Sequence, residues 1–275
     1  MTLNANEIAD WQGHVGRTER KVQYLDRASL RRFAVAAGLD PDIDRNPPAL
    51  AHWAWFADVV ADAGLGSDGH PLRGGFLPAV RLPRRMFAAS KMSFETLLTL
   101  DEEAELEQSI VDVRHRSGKT GDLVFVDVDR LLSQAGRVRV RERQTIVYRE
   151  QGTSVSLPEV KIGIAGATEW RPSPVALFRF SAVTFNAHRI HYDRDYATCE
   201  EGYPDLVVHG PFAATKLAAF AERQSGRRLG AFAFRAEAPL FVSQPIYLEA
   251  GVTSDIFRVR RCDGVAAMTA EVAFR

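Results

Sequence analysis

Residues 93–113, SFETLLTLDEEAELEQSIVDV, lie without a gap on residues 235–255, RAEAPLFVSQPIYLEAGVTSD. Leu98 then falls on Leu240, Leu106 on Leu248, Glu107 on Glu249 and Ile110 on Val252. The identities are few, but the order of elements around the two stretches repeats as well: helix first, then a run of strands. A long apolar helix beside a strand meander is buried best when the sheet wraps around it. Two such sheets can pair edge to edge, so the chain is expected to be α+β and built from two similar halves.

In the first half, DRASLRRFAVAAG (26–38) reads as a helix capped by Asp26 and stopped by Gly38. Leu30, Phe33, Ala34 and Ala37 share its apolar face. LAHWAWFADVVADAG, ending at Gly64, is expected to be a second, thicker helix, and GSDGHPLRGGFLP a loop. Strands dominate from about residue 80 onward. Arg137, Arg139, Arg141 and Arg143 take every second position there, which is the solvent face of a strand rather than a polyanion site.

Residues 151–172 lack periodicity and carry two prolines, so they read as a connection between domains at 1–150 and 173–275. The order then restarts with the strand-like ALFRFSAVTF and a cluster of histidines. A helix follows over 210–226, with Pro211 in its first turn and Gly226 at its end. Phe212, Ala213, Leu217 and Phe220 form its buried stripe.

The 35 basic and 35 acidic residues cancel, which weighs against a nucleic-acid partner. Cys199 and Cys262 form no CxxC pair, so neither a disulfide framework nor a structural zinc site is expected, and a cytoplasmic location suits the chain. No signal peptide is visible, and PVALFRFSAVTF is broken by Arg179 and too short to span a bilayer, so no membrane partner is expected.

The chemistry concentrates in FNAHRIHYD (185–193) and LVVHGPF (206–212). His188, His191, His209 and Asp193 could supply metal ligands, but the spacing matches no recognised metal motif, and none is expected. Each residue alone has an ordinary structural reading. His188 can simply pack, Asp193 can cap the short helix after it, and His209 can orient a loop. Together they suit general acid/base work. A helix opening at Gly210 offers unpaired N–H groups to a developing enolate, and a nearby imidazole can move a proton between water and a substrate carbon.

The wording TFNxHRIHYDxxYA…EGYPxLVVHGP, matched by residues 184–211, resembles that of the MaoC-like, hot-dog-fold hydratases and dehydratases of acyl thioesters. It is most similar to their two-domain subgroup of mesaconyl-C4-CoA hydratases, itaconyl-CoA hydratases and type-2 hydroxyacyl-thioester dehydratases. GSDGHPLRGGFLP, LPRRMFA and RQTIVYRE extend the likeness to the first half. The resemblance implies a double hot dog, each sheet wrapped around a long central helix, with a degenerate first domain. It also implies a cofactor-independent hydro-lyase on an acyl-CoA, with mesaconyl-C4-CoA and (S)-citramalyl-CoA the favoured pair, and a homodimer.

Within that resemblance His191 is the general base, Asn186 orients the water and the Gly210 N–H polarises the thioester carbonyl. His188, Asp193 and His209 support them. Arg84, Arg85 and Arg189 are candidates for CoA phosphate or a substrate carboxylate. One departure stands out: Asn186 occupies the place where most of the family carries a catalytic aspartate. Itaconyl-CoA hydration or (3R)-hydroxyacyl-thioester dehydration is the runner-up within the same chemistry, and a thioesterase or a non-catalytic acyl-thioester binding module are the alternatives outside it.

Overall fold

In the computed structural model, which describes residues 3–118, 121–152, 154–161 and 163–275, the strands join into one antiparallel sheet. The first half contributes β1 (Thr18–Tyr24), β2 (Arg84–Phe94), β3 (Glu103–Gly118), β4 (Gly121–Gln134) and β5 (Arg137–Arg149). The second contributes β6 (Thr168–Trp170), β7 (Leu229–Ala236), β8 (Ile246–Ala250), β9 (Ile256–Arg260) and β10 (Ala266–Phe274). The helices are α1 (Ala5–Gln12), α2 (Arg27–Ala36), α3 (Pro174–Thr184) and α4 (Gly210–Ser225).

Strand order is β1-β3-β4-β5-β2-β7-β10-β9-β8-β6, so the two halves mirror each other about the β2–β7 pair. That junction runs from Ala89 opposite Arg235 to Ser93 opposite Ala231, the edge-to-edge joint the repeat implied. The offset that lays Leu98 on Leu240 also lays β2 on β7 and the start of β3 on the start of β8. The equivalence ends at its last pair. Ile110 is fully buried within β3, whereas Val252 stands exposed beyond β8.

Two helices form where their caps predicted them. Asp26 accepts the Ser29 N–H at 2.8 Å, and Leu30, Phe33 and Ala34 are buried. In α4 the predicted stripe is buried against the strands of the second half, and Gly226 closes the helix at φ 68°. Arg137, Arg141 and Arg143 face solvent as expected, with Arg139 partly covered.

Three expectations differ from the structure. ALFRFSAVTF is not a strand but most of α3: Ser173 caps it and Pro174 opens it. A short apolar run has no decisive period, and here helical spacing buries Leu177, Phe180 and Ser181 together. The second helix expected at 50–64 is reduced to the single turns Ala51–Ala54 and Asp62–Gly64. Its aromatic residues are tied to separate partners. Trp53 donates to buried Glu142 at 3.1 Å, and Phe56, at φ 60°, donates its N–H to Gln23 at 2.7 Å.

Consequently only the second half holds a long central helix. The offset places its counterpart on DGHPLRGGFLPAVRLP, where three prolines and three glycines forbid an unbroken helix. The described residues of 151–172 are mostly exposed, and β6 is the strand among them. Among the described residues no helix is long and apolar enough to cross a membrane.

Candidate active site

At the end of α3, Phe185 adopts φ 51° and turns the chain into the histidine run. Asn186 accepts the His188 N–H through Oδ1 at 3.0 Å, leaving its amide nitrogen to donate elsewhere. A 3₁₀ turn over Arg189–His191 then buries His191. Its Nδ1 lies 2.7 Å from the Val207 carbonyl, so Nδ1 carries the proton and Nε2 is the acceptor. The ring stacks on that of His209, with centroids 3.6 Å apart and planes 20° apart. His209 is the N-cap residue of α4, so His191 stands beside the helix start at Gly210. The first turn of α4 has N–H groups without intrahelical partners.

His209 is fully buried, with Nε2 2.8 Å from the Ser181 hydroxyl and no partner at Nδ1 among the described residues. Burial pushes His191 down to about 4, the Val207 hydrogen bond opposing it only in part. Burial, with His191 alongside, holds His209 well below the usual histidine range. Burial and the neighbouring His70 do the same to His188. These imidazoles are neutral at physiological pH.

His70 comes from the first half, in the GSDGHP loop, and its ring centroid lies 4.0 Å from that of His188. His188 in turn meets His191 edge-on at 5.4 Å. The loop docks through its backbone: Asp68 O accepts the Arg189 N–H at 2.9 Å. Gly69, at φ +85°, sits so close that an added Cβ would lie 1.8 Å from Ala187 O. Gly69→Ala is therefore expected to cost about 2–4 kcal/mol and to lower the thermal midpoint by several degrees. An unchanged melting curve would show that the loop can dock another way.

Asp68, His70 and His188 offer donor atoms within 4.8 Å of one another, the one such group among the described residues. Within that group His70 Nδ1 is already bonded to Asp68 Oδ2 at 3.1 Å, and the two rings are tilted by 38°.

A cavity of about 780 Å³ opens against the inner face of β2–β5, in the half that lacks the central helix. Asn186, Pro211 and Phe180 reach it from the second half, His70, Arg85 and Tyr148 from the first. Strand alternation separates the two neighbouring arginines. Arg84 turns to Glu201, forming an ion pair at 3.0 Å and a second contact to its carbonyl, and lies over the Tyr203 ring at 4.9 Å. Arg85 lines the cavity.

Arg189 grips Asp193 at 2.7 Å, lies over Tyr196 at 4.2 Å and donates to Ser67 O. Asp193 also accepts the Tyr196 N–H at 3.0 Å, the capping role open to it from the start. Neither residue lines the cavity; of the predicted site residues Asn186 and Arg85 do, while His188, His191, His209 and Gly210 stand behind Asn186 and Pro211. The sequence reading passed over Asp68 and His70 as loop residues. The available signal was Gly69 between two chemically competent side chains.

The model for the family of hydroxyacyl-thioester dehydratase type 2 matches residues 50–242. The chain is 42% identical over 277 residues to the mesaconyl-C(4)-CoA hydratase of Chloroflexus aurantiacus, covering 96% of this chain and 98% of that one. It is 28% identical over 173 residues to the mitochondrial hydroxyacyl-thioester dehydratase type 2 of Schizosaccharomyces pombe, covering 61% and 51% of the two chains.

Among solved structures, a MaoC-like dehydratase from Phytophthora capsici superposes with a TM-score of 0.69 at 14% identity, over 98% of this chain and 97% of that one. A conserved hypothetical protein of Mycobacterium tuberculosis, described as a double hotdog fold, gives 0.55 at 14% identity, over 94% and 96%. At such identities these two speak for the fold alone, and the fold they share is the double hot dog seen here. The family match over the middle and most of the chain, and a near full-length relative, make the assignment: the chain belongs to the hydroxyacyl-thioester dehydratase type 2 family.

Proposed function

We propose that the protein reversibly adds water to an α,β-unsaturated acyl-CoA, with mesaconyl-C4-CoA and (S)-citramalyl-CoA as its pair. The observation that carries this reading is a buried, neutral His191 of fixed tautomer, stacked against the first residue before α4. The 42% identity to a mesaconyl-C(4)-CoA hydratase supports the choice of acyl group.

In this reading the thioester carbonyl points at the N–H groups opening α4, where Gly210 stands, and negative charge develops there as water attacks. The Nε2 of His191 takes the proton and later returns it to the α-carbon. The Asn186 amide orients the water, and His188 and His209 pack the shuttle into place. Asp193, Arg189 and Arg84 are then structural.

In this reading Arg85, which lines the cavity, meets the free carboxylate of a dicarboxylic acyl group. Arg85→Ala is expected to raise KM for mesaconyl-C4-CoA by about tenfold or more, the worth of one charge-assisted hydrogen bond. Crotonyl-CoA, which lacks that carboxylate, is expected to change by less than about threefold. Equal effects on both substrates would remove Arg85 from this role.

A panel of mesaconyl, itaconyl and crotonyl thioesters, read by loss of enoyl absorbance and gain of one water in mass, tests the function. Release of free thiol instead of hydration would turn the reading to a thioesterase. Saturable binding without any turnover would turn it to a binding module. A cytoplasmic homodimer completes the proposal.

A further inference from the structure

Asn186 stands where most of the wider MaoC-like family is expected to carry a carboxylate, so charge is missing beside the proton-carrying imidazole. When His191 takes a proton, its Nδ1 partner is only the neutral Val207 carbonyl. Asp193 cannot stand in, because both its oxygens are engaged by Arg189 and the Tyr196 N–H.

Of the carboxylates near the histidine cluster, Glu201 stands 4.0 Å from His188 and is paired with Arg84, whereas Asp68 comes from the other half of the molecule and bonds an imidazole directly. Asp68 Oδ2 lies 3.1 Å from His70 Nδ1, while Oδ1 accepts the His70 N–H at 2.9 Å. The carboxylate thus meets His70 at two points, the backbone N–H and the ring, and the ring contact puts the proton on Nδ1 and leaves Nε2 as an acceptor. The His70 ring lines the cavity with Asn186 and packs against His188.

We propose that Asp68 and His70 do the work of the carboxylate that Asn186 replaces. This rests on the hydratase reading above. His70 is a catalytic residue whose Nε2 accepts a hydrogen bond from the attacking water. Asp68 is the positioning residue that fixes its tautomer and brings the negative charge.

In hydration, one hydrogen of the water stays on oxygen and points at His70 Nε2. The other passes as a proton to His191 Nε2 while the oxygen bonds to the carbon bearing the methyl and carboxylate. The π electrons move onto the thioester oxygen as an enolate. The enolate then takes the proton from His191 to form the α-carbon C–H bond. One water is consumed, both imidazoles end neutral, and no other reactant is needed.

Burial works against the charge on Asp68, but the hydrogen bond from His70 and the nearby Arg85 keep its carboxyl at about 2. The groups facing His70 are Asp68, His188, Arg85 and Arg73. None of these is engaged by His191 through a hydrogen bond, so the two imidazoles act from separate supports.

The test begins from wild-type turnover of mesaconyl-C4-CoA. Asp68→Asn, the conservative change, is expected to lower kcat by about 10- to 100-fold with KM within about threefold. His70→Ala is expected to fall equally, and the double variant no further, because the pair acts as one unit. Asn186→Asp in the Asp68→Asn background returns the carboxylate to the second half and is expected to restore at least about tenfold. A merely structural role for the loop would not be rescued from position 186.

Wild-type turnover with Asp68→Asn and His70→Ala both within about threefold would overturn the dyad and leave the hydratase standing. Loss in Asp68→Asn without rescue by Asn186→Asp would also overturn it. A wild type inactive on every enoyl thioester would overturn the hydratase and the dyad with it.

Discussion

His191→Ala is expected to lower kcat for enoyl-thioester hydration by at least about a hundredfold, with KM changed little. The side chain is buried, its tautomer is fixed by Val207, and it stacks on the residue that opens α4. Alanine removes the proton carrier without removing a group that grips CoA. The stacked His209 keeps its own bond to Ser181, so the neighbouring packing has independent support. Steady-state rates beside a melting curve separate lost chemistry from lost structure. Turnover within about threefold of wild type, in a folded variant, would take the proton away from this imidazole.

Acid is expected to unfold the protein steeply, beginning near the ordinary histidine range. His70, His188, His191 and His209 are all held below 6.5, chiefly by burial. Below about pH 6.5 the unfolded chain binds protons at these sites that the native cluster refuses, so stability falls as pH falls. Each such site removes up to about 1.4 kcal/mol per pH unit, and His191, held at about 4, accounts for about 3 kcal/mol over that window.

Four sites together compete with the whole stability of an ordinary domain, about 5–15 kcal/mol. Glu201 and Glu222, whose carboxyls burial pushes up, oppose the trend. Asp68 and Glu142, both held at about 2, extend it at still lower pH. Denaturant titrations from pH 7.5 to 4.5 would read this directly. Stability that stayed level down to about pH 5 would mean the cluster accepts protons in the folded state.

The parts of this fold that local chemistry dictates were legible in the chain. Asp26 and Gly226 mark helix ends through caps that operate within a few residues, and the arginine alternation after residue 137 needs only the strand's own period. The pairing of halves could be read because it repeats. α3 could not, since an eleven-residue apolar run suits a buried strand as well as a helix until neighbours such as Phe33 are placed.

The absent first-half helix was misplaced for a different reason. WAWF looks like a core stripe, while the prolines at 71, 78 and 83 that rule out a helix lie further on. In the candidate site, the second-half residues could be grouped because they fall in two short neighbouring runs, 185–193 and 206–212. Asp68 and His70 were missed because their partners lie over a hundred residues away, brought near by the Gly69–Ala187 approach and the Arg189 bonds to Ser67 and Asp68. Likewise, alternation says that Arg84 and Arg85 face opposite ways, but only tertiary structure says which one meets the cavity.

The missing helix leaves each copy of the repeat with its own trade. The second copy kept its central helix and the reactive atoms at its tip. The first left that space open, and in the proposed reading it became room for the guest. What the enzyme accepts is then written mostly on the first copy and how fast it reacts mostly on the second, with Asp68 and His70 as the exception. Changes along 55–67, 71–77 and the inward faces of β2–β5 would retune acyl length and branching, while changes in 186–211 or at those two loop residues would retune rate. A descendant could acquire a new substrate so long as that short stretch of the loop stayed as it is.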